Sequence, residues 1–566
     1  MAHGTASREH SRDNPDDRIA MAAGPDRRAG RSLFLVAMLA AAGFAVAIVS
    51  RPLGWLLGVV PDDAFYYLQI ARHIAASGHS TFDGINPTNG YHPAWMLLMT
   101  LCAGFVSGPE ALFRCGLAAG FLLHIATGPA IVAIIRRLMA GGPGSERWGW
   151  IAGALWLVNP FPLFLMTQGV ESPVYLLALA LLVLVYLRDI DPHLDVAATP
   201  SPLPAGRLVV FGAVLGLAFW GRTEAGVLAV ITIMFIVLML HRRGHSPSAL
   251  FRAALLTGGA FALVAMPWFI FSRIAVGSFG QDSGGMKMLW GSAERSGLGA
   301  GTQLADLCWY LYRTWLGNPV GLLFGLPRIL QGVMPLVVCA GLAWMIHRFR
   351  HVDGTGPLRR MTAWLSAATL VTGGIYGALF TDSQIWHCTQ PGLVLFLLLT
   401  GWGIIALSRW GMVDRKGGWL RAIILVGAMA IFIKLAIRTP ELYPWQRDVH
   451  ASQPAFEARV PAGEPIGCFN AGIPAYFSPR RIVNLDGLVN HAVLPYWRAG
   501  NFSAYLHDQG IDYIADEEES IRRGMSFSSA PVTLVPLDSA VLTGWSSKYR
   551  RLWRSGRVLK PPPPPP

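Results

Sequence analysis

Apolar, charge-poor runs recur through the first 436 residues of this 566-residue chain, and they restrict what it can fold into more than any other feature. A run of about 20 apolar residues crosses a bilayer as a helix, because lipid offers the backbone no hydrogen-bond partner and the helix supplies its own. The chain is 53% hydrophobic and 14% charged, where a soluble protein of ordinary composition carries about 25% charge. An all-α polytopic membrane protein follows. The runs taken as spans are 32–50, 112–135, 148–166, 172–187, 208–221, 225–240, 253–272, 321–346, 361–380, 389–408 and 420–436, about eleven transmembrane helices in all.

The net charge of +13 does not point to nucleic acid, because no basic cluster is interleaved with aromatics. The cations sit in short loops between runs, where Lys and Arg set topology. Arg136, Arg137 and Arg147, then Arg242, Arg243 and Arg252, then Arg348, Arg350, Arg359 and Arg360, and finally Arg409, Arg415, Lys416 and Arg421 mark every second loop as cytoplasmic. The other loops, 51–111, 167–171, 222–224, 273–320 and 381–388, then lie outside. This scheme requires the apolar run 93–109 to lie in the outer interface without crossing. The expected domains are a disordered cytoplasmic tail 1–31, a transmembrane catalytic domain 32–439 with a first external loop 51–111, an extracytoplasmic α/β domain 440–555 and a Pro-rich tail 556–566. The α/β expectation rests on strand-like PIGCF (465–469), RIVNL (481–485) and IDYIA (511–515), separated by helical stretches. The six cysteines show neither CxxC nor Cys/His ligand spacing, which argues against a zinc site or a disulfide framework.

The external loops concentrate the charge that a membrane interface would otherwise exclude. PDDAFYYLQIAR (61–72) places Asp62 and Asp63 at the start of an amphipathic helix, with Asp62, Tyr66, Gln69 and His73 on one face. An Asp at this point caps a helix well, and one would suffice. PTNGYHPAW (87–95) follows with His92. TQGVESPVY (167–175) carries Glu171, an acid with no neighbouring charge at a helix emergence, where it needs water, a metal or a partner. GRTEAG (221–226) carries Arg222 and Glu224, a fork for a phosphate or a local ion pair. Arg273, Lys287, Arg295 and Arg313 stand outside against the positive-inside rule, as expected of a site for an anionic ligand or of snorkelling anchors. His387 follows the ninth run. Asp486 in NLDGLVN (484–490) reads as the Asp of an Asp-Gly turn.

The order of an acid pair, an amphipathic helix, NPTNG and HPAW after the first span resembles the first external loop of the GT-C superfamily of integral-membrane glycosyltransferases. DDAFYYLQIARHIA…FDGINPTNGYHPAW is similar to bacterial family-39-like members, and His92-Pro93 to protein O-mannosyltransferases and the aminoarabinose transferase. The second-loop GVES resembles the small-residue–acid motif of oligosaccharyltransferases and arabinofuranosyltransferases. The resemblance implies a GT-C fold in a bacterial plasma (inner) membrane, with an extracytoplasmic active site. It implies a polyprenyl-phosphate-linked sugar as donor, membrane lipids as surroundings, and Asp62 or Asp63 as catalytic base. Tyr66, His92, Glu171, Arg222, Glu224 and His387 would bind substrate. It leaves open a divalent cation, magnesium or manganese, held by Asp62, Asp63 and Glu171. The rival class is a polytopic lipid or glycan transporter or flippase, which would favour paired repeats with broken helices at mid-membrane; no repeat is visible in the sequence. The topology is tested by reporter fusions. Positions 142, 245, 355 and 415 should report as cytoplasmic and 80, 295 and 500 as external; an external signal at 245 would overturn the scheme.

Overall fold

The computed structural model of the chain describes residues 15–140, 144–195, 203–326, 328–380, 384–410, 427, 441–516, 520–522, 534–536 and 551–555. Among these, six helices are long and apolar enough to cross a membrane: Arg28–Val49, Pro109–Leu138, Ser172–Leu194, Ala225–Arg242, Pro247–Val276 and Ile385–Arg409. Ser145–Leu157 and Pro160–Met166, bent by 45° at Asn159, make a seventh if taken as one span. The bend has a local cause. Asn159 accepts a hydrogen bond from the Phe161 N–H and starts a new helix whose first residue is proline.

The remaining runs of the expected eleven are shorter, broken, less apolar or outside the described residues. The run 208–221 is a 17-residue helix, Ala205–Gly221, which is apolar but short. The run 321–346 is broken: Asn318–Leu323 ends before a 3-10 turn, and Met334–Phe349 resumes with Pro335 in its first turn. The run 361–380 is helical as Gly356–Leu379, 24 residues, long enough to cross but less apolar than the six. The run 420–436 lies outside the described residues, as does the tail 556–566. The first helix spans Pro15–Val49 and so takes in the second half of the segment expected as a disordered tail. The run 93–109 forms Pro93–Phe105, 13 residues, about 20 Å long at 1.5 Å per residue. That falls short of a hydrocarbon core of about 30 Å, in keeping with a helix that does not cross.

In the C-terminal region, the three strand-like segments form parallel strands β1 (Ile466–Cys468), β2 (Ile482–Asn484) and β3 (Tyr513–Asp516). Antiparallel β4 (Leu534–Pro536) and β5 (Arg551–Ser555) extend the sheet to the order β2-β1-β3-β5-β4. The α/β character was legible because the three parallel strands are short, buried and mostly apolar and alternate with helical stretches.

This domain is clamped to the 51–111 loop. The Asp62–Ser77 helix runs beneath it, with nearly every residue from Ala64 to Ala71 buried. Phe65 packs on Phe113 from the membrane side and on Tyr476 and Phe477 from the domain side, with ring centroids 4.9–5.6 Å apart. Met286, from the helix Asp282–Ser296, is buried in the domain's own core beside Val493, Leu494 and Trp497. Backbones meet closely at two glycines. A Cβ on Gly90 would stand 1.8 Å from the Leu488 carbonyl oxygen, and one on Gly472 would stand 2.2 Å from that of Asp62. Neither obstacle is a flexible side chain, so Gly90→Ala and Gly472→Ala should each cost about 1–3 kcal/mol, seen as a lower thermal midpoint in detergent. Gly104→Ala, with nothing within 4 Å, should be neutral or slightly stabilising. Equal midpoints for all three would contradict the close docking.

Candidate functional site

The 51–111 loop, the 167–171 loop, the 222–224 turn and the C-terminal domain meet around one cavity of about 410 Å³. Several helices begin at its wall. His92, Glu171 and Glu224 are the residues at which Pro93–Phe105, Ser172–Val185 and Ala225–Arg242 start, and none caps its own helix with its side chain. Each instead lines the cavity. The first-turn N–H groups of three helices thus lie close by, a setting that favours negative charge.

Arg222 organises the floor. Its guanidinium is 3% exposed and lies between two carboxylates, Nη1 donating to Glu171 and Nε to Glu224. Glu171 also accepts a hydrogen bond from the Tyr67 hydroxyl at 2.9 Å, and that hydroxyl accepts from the His92 N–H at 3.2 Å. The His92 ring is fixed from the other side. Its Nδ1 accepts the Thr223 N–H at 3.2 Å, which leaves the proton of the neutral ring on Nε2, 3.8 Å from Glu171 Oε1. Burial, with Arg222 adding to it, drives the imidazole down to about 3, so His92 is a neutral N–H donor at physiological pH. His387 closes the far wall, its ring 5.5 Å from that of Tyr376.

The two aspartates of the opening motif separate. Asp63 lines the cavity with Tyr66. Asp62 does not. Its carboxylate accepts the Gly472 N–H at 2.8 Å and the Ile473 N–H at 2.7 Å. Asp62 therefore caps a helix, but one belonging to the C-terminal domain (Gly472–Phe477), 410 residues away in sequence. Of the two aspartates considered as base, Asp63 is the one that faces the cavity. The acids considered for a cation have protein partners here: both Asp62 oxygens accept backbone N–H groups, and the Glu171 oxygens accept from Arg222 and Tyr67. Among the described residues no group of three or more His, Cys, Asp or Glu is placed to hold a metal ion.

The cavity therefore brings together Asp63, Tyr66, His92, Glu171, Arg222, Glu224 and His387. It adds Lys287, Tyr376 and Trp386, with Leu488 and Val489 from the C-terminal domain. Lys287 is one of the four cations that the sequence sets apart as an anionic-ligand site or as snorkelling anchors, and it is the one that lines the cavity. Of its three companions, Arg295 instead donates to the Gly377 and Phe380 carbonyls at 2.9 and 2.8 Å, and Arg273 to that of Gly277 at 2.9 Å. Nothing local in the sequence marks Leu488 and Val489 as cavity wall. Removing the cation from a buried triad leaves two uncompensated carboxylates, so Arg222→Met should cost about 3–5 kcal/mol, measured as a fall in thermal midpoint. An unchanged midpoint would mean the triad does not hold the floor together.

Residues 444–557 match a family described as "Domain of unknown function (DUF8728)". A search of curated proteins gives no significant match. Two solved structures are similar over most of the chain. One is the crystal structure of ArnT from Cupriavidus metallidurans bound to undecaprenyl phosphate, at 14% identity and a TM-score of 0.53, covering 94% of this chain and 99% of that one. The other is the archaeal oligosaccharyltransferase AglB from Archaeoglobus fulgidus, in complex with an inhibitory peptide and a dolichol-phosphate. It stands at 14% identity and a TM-score of 0.51, covering 88% and 71%. Both are GT-C glycosyltransferases, and the chain shares their fold.

Proposed function

We propose that the chain is a membrane glycosyltransferase that moves a sugar from a polyprenyl-phosphate carrier to an acceptor hydroxyl on the extracytoplasmic side of a bacterial inner membrane. The single observation that supports this most is the convergence of Asp63, His92, Lys287 and the Arg222 triad on one cavity at helix N-termini. The GT-C fold, with a relative solved bound to undecaprenyl phosphate, agrees with it.

In this reading Asp63 is the general base. It takes the proton of the acceptor hydroxyl as that oxygen bonds to the anomeric carbon. The bond from that carbon to the phosphate oxygen breaks, and its electron pair leaves with the polyprenyl phosphate. Attack from the face opposite the phosphate inverts the anomeric centre. The leaving group needs a cation more than a proton, and Lys287 supplies it. Arg222 is less suited to that task, because its guanidinium is shared between two carboxylates. Its place is to hold Glu171 and Glu224, and through Glu171 the His92 side of the cavity. The neutral His92 then offers a hydrogen bond to a sugar hydroxyl without adding charge. Tyr66 and His387 shape the pocket around the sugar.

The test separates the two aspartates. Asp63→Asn keeps shape and burial but cannot accept a proton, so transfer should fall by about 10²–10⁴ with an unchanged thermal midpoint. Asp62→Asn offers one carbonyl oxygen to two N–H groups. It should lower the midpoint, at a cost of about 1–3 kcal/mol, before it affects turnover of the folded fraction. Both are assayed with polyprenyl-phosphate sugar and with nucleotide sugar. Full activity of Asp63→Asn, or turnover of nucleotide sugar without lipid, would contradict the reading.

A further inference from the structure

We propose that Asp486, carried into the site by the C-terminal domain, is held as a neutral carboxylic acid that donates its proton to Tyr66, and that it positions the cavity wall beside Asp63. Its catalytic consequence rests on the reading of Asp63 as base; its protonation does not.

The inference starts from a proton count. The Tyr66 hydroxyl oxygen lies 3.2 Å from the Phe469 carbonyl oxygen and 3.2 Å from Asp486 Oδ2. A hydroxyl has one proton and can serve one of them. The carbonyl has none to return. An ionised Asp486 would have none either, so one oxygen–oxygen contact would stand without a hydrogen between buried groups. A proton on Oδ2 completes the chain. Asp486 donates to Tyr66, Tyr66 donates to Phe469, and the Leu488 N–H donates to Asp486 Oδ1 at 2.8 Å. Tyr66 is 6% exposed and Asp486 8%, so water is a poor substitute for any of these bonds.

The electrostatics agree. Burial raises the Asp486 carboxyl to about 8; the Leu488 N–H and the Asn484 side chain hold it down, and the charge of Asp63 adds to the rise. Of the titratable groups on the Asp62–Ser77 helix, the charge of Asp63 raises it and the hydrogen bond with Tyr66 lowers it. Gly487, at φ +81°, makes the turn that points the acid at Tyr66. The Asp-Gly pair is thus a turn, as its sequence indicates, with a second task that only the docked domain creates. Tyr66 and Asp63 stand three residues apart on the same helix and both line the cavity. Losing the Asp486 proton would put a second negative charge beside Asp63 and remove the donor that holds Tyr66. Asp486 is therefore a positioning residue, and its ionisation should form the alkaline limb of activity.

Asp486→Asn and Asp486→Ala distinguish this from a merely structural role, because the asparagine amide is neutral, keeps the shape, donates to Tyr66 and still accepts the Leu488 N–H. Purified full-length protein is compared by infrared spectroscopy at pH 7 and by pH profiles of transfer. The wild type should show the carbonyl stretch of a protonated carboxylic acid that Asp486→Asn lacks. Asp486→Asn should keep transfer within a few-fold of wild type and lose the alkaline limb, while Asp486→Ala falls roughly tenfold, the worth of one buried hydrogen bond. No difference in the carboxylic-acid band would overturn the proposal. So would Asp486→Asn losing as much transfer as Asp486→Ala, since an amide cannot replace an ionised carboxylate. If the band is present while Asp63→Asn retains full activity, the assignment of Asp63 fails and the neutral Asp486 stands.

Discussion

Arg222 and its two carboxylates carry the rest of the site. Three charged side chains, each between 3% and 11% exposed, persist in such a place only because they satisfy one another. Their pairing dictates local structure well beyond the ions. Glu171 and Glu224 sit where helices begin, yet neither side chain bonds its own helix; both turn inward to the guanidinium. Tyr67 closes on Glu171, the His92 N–H closes on Tyr67, and the His92 ring closes on the Thr223 N–H next to Arg222. The circuit ties the 51–111 loop, the 167–171 loop and the 222–224 turn into one floor, and the cavity above inherits its shape.

The C-terminal domain supplies the remaining wall, and polar contacts hold it there. Asp62 grips two backbone N–H groups of that domain. Asp282, at the first turn of the Asp282–Ser296 helix, pairs with His491 at 2.7 Å and accepts the Asn89 N–H. Met286 on the same helix enters the domain core, and its neighbour Lys287 lines the cavity. The surface that docks the domain is thus one residue away from the surface that faces substrate. A polyprenyl-phosphate sugar bound here would touch both halves of the chain, which makes the domain part of the site.

Much of this was legible in the sequence because it was local. The Asp pair at a helix start, the His-Pro, the isolated Glu171 and the Arg222–Glu224 turn all reach the cavity or its edge. Helical spacing explains why Tyr66 was found with them. What could not be read was the division of labour. Asp62 and Asp63 are chemically identical neighbours, and a rotation of about 100° per residue sends one to Gly472 and the other to the cavity. That choice depends on a domain 410 residues away. GRTEAG read as a phosphate fork or a local ion pair; the Arg222–Glu224 pair forms, but nothing in that stretch shows that Glu171, 51 residues earlier, would join it. Helix breaks were hard to read for a different reason: apolar runs such as 321–346 contain Pro and Gly that hydropathy averages over.

The central claim is that this cavity takes a lipid-linked phosphate at Lys287 and the sugar beside Asp63. It is tested most directly by a cryo-EM structure of the purified protein with a polyprenyl-phosphate sugar. The account predicts phosphate density within ion-pair reach of the Lys287 ammonium, and sugar density between Asp63 and His92. Headgroup density elsewhere, above all at the opposite end of the helices near Arg360 and Asp191, with the cavity lacking density, would contradict it.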